Sequence, residues 1–295
     1  MRTNDSLNWD LVVANTPAEL WKNLKVINFN GNTGDNIMHP NIFNIVNWCV
    51  DHSDANITIN TNGSLRNTAW WKKLGNLLQD ESHKIVFGID GLEDTHSIYR
   101  VGTDYNKIIE NARAFIQGGG HAHWQFIVFE HNVHQIEQAE KISQDLGFDR
   151  FFVLYQDRFG ESTDLPVKKY SQDLNKINSE VVVHLSSNNI SRRIKESDHN
   201  ITCRSQQIGW LSIYADSTVW PCCWLMGWHL AQHKLTSSVV NYHFKKILGI
   251  DFDQISLHNN TLESIINSDL WQHRYPDSFR SNPNPICLQQ CSGKK

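Results

Sequence analysis

No apolar run in this 295-residue chain approaches the roughly 20 residues that a membrane-spanning helix needs, so no membrane partner is expected. A signal peptide is missing as well: "MRTNDSLNWDLVVANTP" has neither a basic start nor an apolar core. Long basic runs are also absent. "SRRIK" at 191–195 is short and reads as a solvated helix face, and the formal net charge is −4, so nucleic acid is not expected as a partner. There is no internal repeat. Without an export signal the expected location is cytoplasmic, where lasting disulfides are disfavoured and clustered cysteines are better read as metal or redox groups. What remains is ordinary for a globular chain: 40% hydrophobic and 20% charged residues. The length suits one large core with a smaller appendage.

Between residues 24 and 157 short β-branched runs alternate with longer helical stretches. "LKVINFN" (24–30), "NITIN" (56–60), "KIVFGID" (84–90), "WQFIVF" (124–129) and "RFFVLYQ" (150–156) read as strands. Helical spacing of apolar residues marks 41–52, 68–79, 105–117 and 134–147. Strand–helix alternation predicts a parallel sheet with right-handed crossovers, barrel-like or doubly wound. In such folds the loops after the strands build the site. Polar and glycine residues gather there: "NGNTGD", "TNGS", "DGLEDTH", "EHN" and "DRFG" follow the five strands in order. Residues 159–200 read as a polar connector with one amphipathic segment. "GWLSIYADSTVWP" reads as a hairpin turning at 215–217, and a later helix is expected to start at Asn260, with Glu263 as its capping-box partner.

Five of the six cysteines lie beyond residue 200. Cys49, alone on a helical face, is expected in the core. Cys203 and Cys222 flank the predicted hairpin, whose pairing would bring them together, while Cys287 and Cys291 share one turn in "PNPICLQQCSG". Two such pairs supply the four thiolates of a [4Fe–4S] cluster or of a four-cysteine zinc site. Spacing leaves both open, although C-x3-C is less typical of zinc ribbons. Side chains of neighbouring residues diverge, so one of Cys222 and Cys223 should ligate, and Cys222 is favoured. His121, His123, His131 and His134 are read as surface or hydrogen-bonded histidines rather than ligands.

Taken together, these motifs resemble a radical SAM protein with a C-terminal SPASM/twitch domain, from about Leu24 to Cys291. "NTGDNIMHPN" is similar to the glycine-glycine-glutamate-proline segment of that family, with Gly34 and Asp35 in the glycine and acidic positions and Asn36 in place of proline. Thr61, Asn62 and Gly63 match the next strand end. "GIDGLEDTHSIYRVG" places Asp90 and Gly91 at a strand end and Arg100 at a cosubstrate-contacting position, and Asn132 of "EHN" matches the loop asparagine. The resemblance implies a fold and two cofactors. The fold is an α/β incomplete (β/α) partial barrel over 1–158, then the connector, then a small Cys-rich hairpin and helix domain over 201–295. The cofactors are S-adenosylmethionine, held through Gly34, Asp35, Thr61, Asn62, Asp90, Arg100 and Asn132, and one auxiliary [4Fe–4S] cluster on Cys203, Cys222, Cys287 and Cys291, with zinc as the alternative. Glycine-rich strand ends allow close backbone approach, and an arginine can pair with a carboxylate in bidentate fashion.

The sequence departs from the family at the C-x3-C-x2-C loop that holds the catalytic cluster, since its first cysteine is Cys49. Three readings follow. The chain is the C-terminal portion of a radical SAM enzyme whose first strand and cluster loop are absent, through a truncated frame, a late start or a split gene, the last of which makes a separate chain supplying them a candidate partner. Alternatively it is a non-catalytic relative that keeps a metal site, or a zinc-stabilised binding module. Under the first, "LKVINFN" is an apolar edge strand that invites a partner. The substrate, whether peptide or small molecule, is left open.

Overall fold

The computed structural model describes residues 6–31, 34–155, 184–185, 201–225, 249, 251–281 and 283–292. They fall into two units, one of residues 22–189 and one that joins residues 1–21 to 190–295. The expected boundary assigned the first 21 residues to the sheet. They group instead with the C-terminal segment, where the backbone N–H of Leu262 donates to the Asn15 carbonyl at 2.8 Å.

The larger unit is a six-stranded, wholly parallel sheet in the order β1-β2-β3-β4-β5-β6. Its strands are β1 Val26–Phe29, β2 Asn56–Thr61, β3 Lys84–Gly88, β4 Ala122–Val128, β5 Arg150–Tyr155 and β6 His184–Leu185. Each strand pairs with its sequence neighbour, as Ile27 with Ile57 and Ile59 with Ile85. A doubly wound sheet reverses its strand order at a switch point; this order never reverses, which is the signature of a curved partial barrel. The five expected strands are all present. The sixth falls in the stretch read as a connector, where "VVVHL" (181–185) carried the β-branched signal. The rest of that stretch, with its expected amphipathic segment, lies outside the described residues, as does "DRFG".

Alternation within the strands separates two faces. Ile57, Ile59, Ile85, Phe87, Trp124 and Phe126 are fully buried on one of them. There Phe87 meets Trp71 of α4 (Thr68–Leu77) at 5.3 Å and Phe115 of α6 (Tyr105–Gln117) at 6.1 Å between ring centroids. The other face carries Asn28, Thr58, Asn60, His123 and Gln125, all half-buried or exposed, with an Asn60 to Asn28 side-chain hydrogen bond of 2.9 Å. Helix α3 (Ile42–His52) buries Ile45, Val46 and Cys49, the last completely, and burial pushes its thiol up to about 12. Cys49 is a core residue, as expected. Helices α4 and α6 approach through glycine: a Cβ on Gly75 would lie 2.1 Å from the Phe115 carbonyl oxygen.

In the second unit the hairpin forms as read, with Ser212 opposite Trp220 and Ile213 opposite Val219. The Tyr214 carbonyl accepts from Ser217 N–H at 2.8 Å, and Ser217 takes φ 63°, a left-handed position usually filled by glycine. The later helix covers Leu262–Ile266 and is capped one residue after the expected position. Thr261 is the N-cap, accepting from Ser264 N–H at 3.1 Å, while Asn260 Nδ2 donates to the Asp253 carbonyl. Thr261 wins because its hydroxyl reaches the third N–H of that helix. No helix among the described residues is long and apolar enough to cross a membrane.

Candidate functional site

The loop after β1 folds back over the end of β2 through one carboxylate. Asp35 Oδ1 accepts from Ile37 N–H at 2.9 Å, and Oδ2 from Asn62 N–H at 2.7 Å; the Thr61 hydroxyl lies 2.9 Å from both oxygens. Thr61 Oγ1 accepts in turn from Gly63 N–H, and Asn62 Oδ1 from Ser64 N–H. Gly34, Asp35, Thr61 and Asn62 therefore form one unit at the C-terminal edge of the sheet. Among the described residues, a Cβ on Gly34 would meet only the Met38 sulfur, at 3.8 Å. Asn36, in the proline position, donates from Nδ2 to the Asn60 carbonyl and ties the same two strands.

Beyond β3, Asp90 is fully buried and receives Arg100 Nε and Nη2 at 2.7 Å each on Oδ2, while Oδ1 accepts from Ile127 N–H at 2.7 Å. Burial pushes this carboxyl up; the guanidinium and the N–H oppose that push. The Arg100 guanidinium crosses Gly88 at the strand end, where a Cβ would stand 2.6 Å from Nη2. Arg100 keeps a quarter of its side chain exposed. Asn132 is fully buried, and its side chain is spent inside the fold. Nδ2 donates to the carbonyls of Ile127 and Asp90, and Oδ1 accepts from Phe129 N–H. It braces the loop after β4.

Three supports of these loops escaped the sequence reading. Gln135 accepts from Leu92 N–H and the Thr95 hydroxyl and donates to Asp94, which fixes "DGLEDTH". Arg66, at φ 65°, donates to the carbonyls of Ile37 and His39. Gly88 is the third. A helical glutamine and a loop arginine carry no pattern that marks them, whereas the glycine beside "IDG" was a visible signal.

In the second unit, Cys203, Cys222, Cys287 and Cys291 interact with one another. A hydrogen bond with Cys291, aided by the Gln206 and Ser205 N–H groups and the Tyr275 hydroxyl, brings the Cys203 thiol down to about 6 against the effect of burial. Cys203 acts electrostatically on Cys222, both act on Cys287, and burial pushes Cys287 up to about 12. Cys222 Sγ accepts from Leu225 N–H at 3.4 Å. Cys223 acts electrostatically on Cys222, and burial pushes its own thiol up. A helical segment begins at Cys223.

The donor chemistry suits a thiolate-bound centre. Soft sulfurs interact, N–H groups point at two of them, and the buried Asn284 Nδ2, at the head of the Pro285–Cys291 helix, has no partner among the described residues. Among those residues no group of three or more His, Cys, Asp or Glu side chains is positioned to hold a metal ion. His121 Nδ1 lies 3.3 Å from Asp149 Oδ2.

No protein-family model matches the sequence, and no curated protein matches it. Solved structures do. Native anSMEcpe with bound AdoMet is 13% identical, with 96% of this chain and 78% of that chain covered and a TM-score of 0.54. The same protein with AdoMet and the Kp18Cys peptide gives 15%, 91%, 74% and 0.51. Streptococcus suis SuiB bound to S-adenosylmethionine gives 18%, 66%, 48% and 0.49, and the chain spans about half the length of the SuiB chains it matches. The likeness to anSMEcpe defines the fold: the partial barrel that the radical SAM resemblance implies.

Proposed function

We propose that this chain is a radical SAM/SPASM-type protein that binds S-adenosylmethionine at the β1–β4 strand ends and one auxiliary [4Fe–4S] cluster on Cys203, Cys222, Cys287 and Cys291. The observation that supports the reading is the set of interactions that links Cys203 to Cys291 by a hydrogen bond and Cys203, Cys222 and Cys287 to one another electrostatically. The fold shared with AdoMet-bound anSMEcpe supports the first cofactor. Arg100, steadied by Asp90 across Gly88, would pair with the methionine carboxylate, and the backbone at Gly34 and the Thr61–Gly63 turn would meet the amino and ribose groups. Asp35 and Asn132 act by holding those loops in shape. When bound and reduced, S-adenosylmethionine supplies the radical source for hydrogen abstraction.

Reductive cleavage requires a second cluster on a C-x3-C-x2-C loop, which the six cysteines of this sequence do not form. A peptide is the substrate class favoured here, because anSMEcpe holds one on the same fold. Anaerobic reconstitution followed by metal and sulfide analysis tests the reading. The expected product is brown, with about four irons and four sulfides per chain. Colourless protein carrying one zinc overturns it in favour of a metal-stabilised binding module.

A further inference from the structure

Tyr275 packs against the cysteine set. Its hydroxyl lies 3.9 Å from Cys203 Sγ, and the thiols of Cys287 and Cys222 act on the same oxygen. The residue is 3% exposed. Its ring is set edge-on against Phe279 at 4.9 Å and 75°, and Ser278 Oγ donates to its carbonyl at 2.6 Å, so the phenol has one orientation. A small apolar cavity bounded by Val219, Trp220, Ile255, Leu270 and Tyr275 adjoins it and offers nothing polar. A buried hydroxyl without a partner costs roughly 1–3 kcal/mol, which favours donation toward sulfur. A thiolate that ligates iron carries no proton, so the Tyr275 hydroxyl is the donor of the pair.

We infer that Tyr275 donates a hydrogen bond to Cys203 Sγ and thereby sets the reduction potential of the iron–sulfur centre. The inference rests on the four-cysteine reading above. A donor aimed at a ligand sulfur stabilises the extra negative charge of the reduced cluster and raises its potential, which makes such outer partners tuning elements.

The test is a potentiometric titration of the full chain, reconstituted anaerobically and followed by electron paramagnetic resonance. Tyr275→Phe keeps the ring and its packing; it should load iron as the wild type does and show a more negative potential. Phe279→Leu disturbs the packing but spares the hydroxyl. It should lower the thermal midpoint and leave the potential unchanged. A loaded Tyr275→Phe protein at the wild-type potential overturns the inference alone. If wild-type chain takes up no cluster, the four-cysteine reading fails and the inference falls with it. Should Tyr275→Phe fail to load while the wild type loads, 3-fluorotyrosine placed at 275 decides. A stronger donor of the same shape should raise the potential, and no shift there overturns the inference.

Discussion

A carboxylate with no exposed surface survives in a protein only where its charge is answered, and Asp90 has Arg100 on one oxygen and Ile127 N–H on the other. Asp90→Asn keeps the shape and removes the charge. Because Arg100 can turn its exposed quarter further into water, the loss should stay near 2–3 kcal/mol in urea denaturation rather than reach the larger cost of a sealed ion. His96 makes a second residue-scale case. It is fully buried, its Nε2 lies 3.0 Å from the Thr103 hydroxyl, and its Nδ1 has no partner among the described residues. Burial, with Arg100 nearby, brings it down to about 4. Between its ordinary value near 6.5 and 4 the unfolded chain takes a proton that the folded chain refuses, so stability falls as pH drops through that window, by roughly 2–3 kcal/mol. Denaturation midpoints of wild type and His96→Gln at pH 7 and pH 4.5 check this. The substitution should remove most of the pH dependence. Neither role was legible in the sequence: Asp90 and Arg100 were marked as ligand contacts, and their pairing with each other depends on a strand end and a helix end that only the fold brings together.

Elements were more legible than residues. Alternation and helical spacing located five of the six strands and the principal helices of the sheet unit because each buries one face, and burial is what writes a period into a sequence. The sixth strand has two residues and borders a long polar stretch, so its period is too short to stand out. The helix at Leu262 starts where a hydroxyl reaches a backbone N–H, a local contest between Asn260 and Thr261 that composition does not resolve. Packing between elements left a trace only in glycine. Gly75→Ala improves helix propensity by about 1 kcal/mol yet places a methyl 2.1 Å from the Phe115 carbonyl. Because α4 and α6 must then separate, we expect a net loss of about 1–3 kcal/mol in chemical denaturation and no gain in thermal midpoint.

At the scale of the whole molecule the chain divides its work. The sheet unit presents polar loops at the ends of its strands, and the second unit gathers sulfur. The cysteine set drew notice in the sequence because five of the six thiols lie beyond residue 200. Tyr275 did not, since an aromatic residue at helical spacing looks like any core residue. The choice between adjacent thiols offers the sharpest view of the centre. Cys222→Ser and Cys223→Ser alter neighbouring atoms of the same type, so a difference between them reports ligation rather than folding. Iron and acid-labile sulfide should be counted in each variant after identical anaerobic reconstitution. We predict that Cys223→Ser retains the full wild-type complement and that Cys222→Ser loses most of it; equal retention in both would contradict a cluster bound through Cys222.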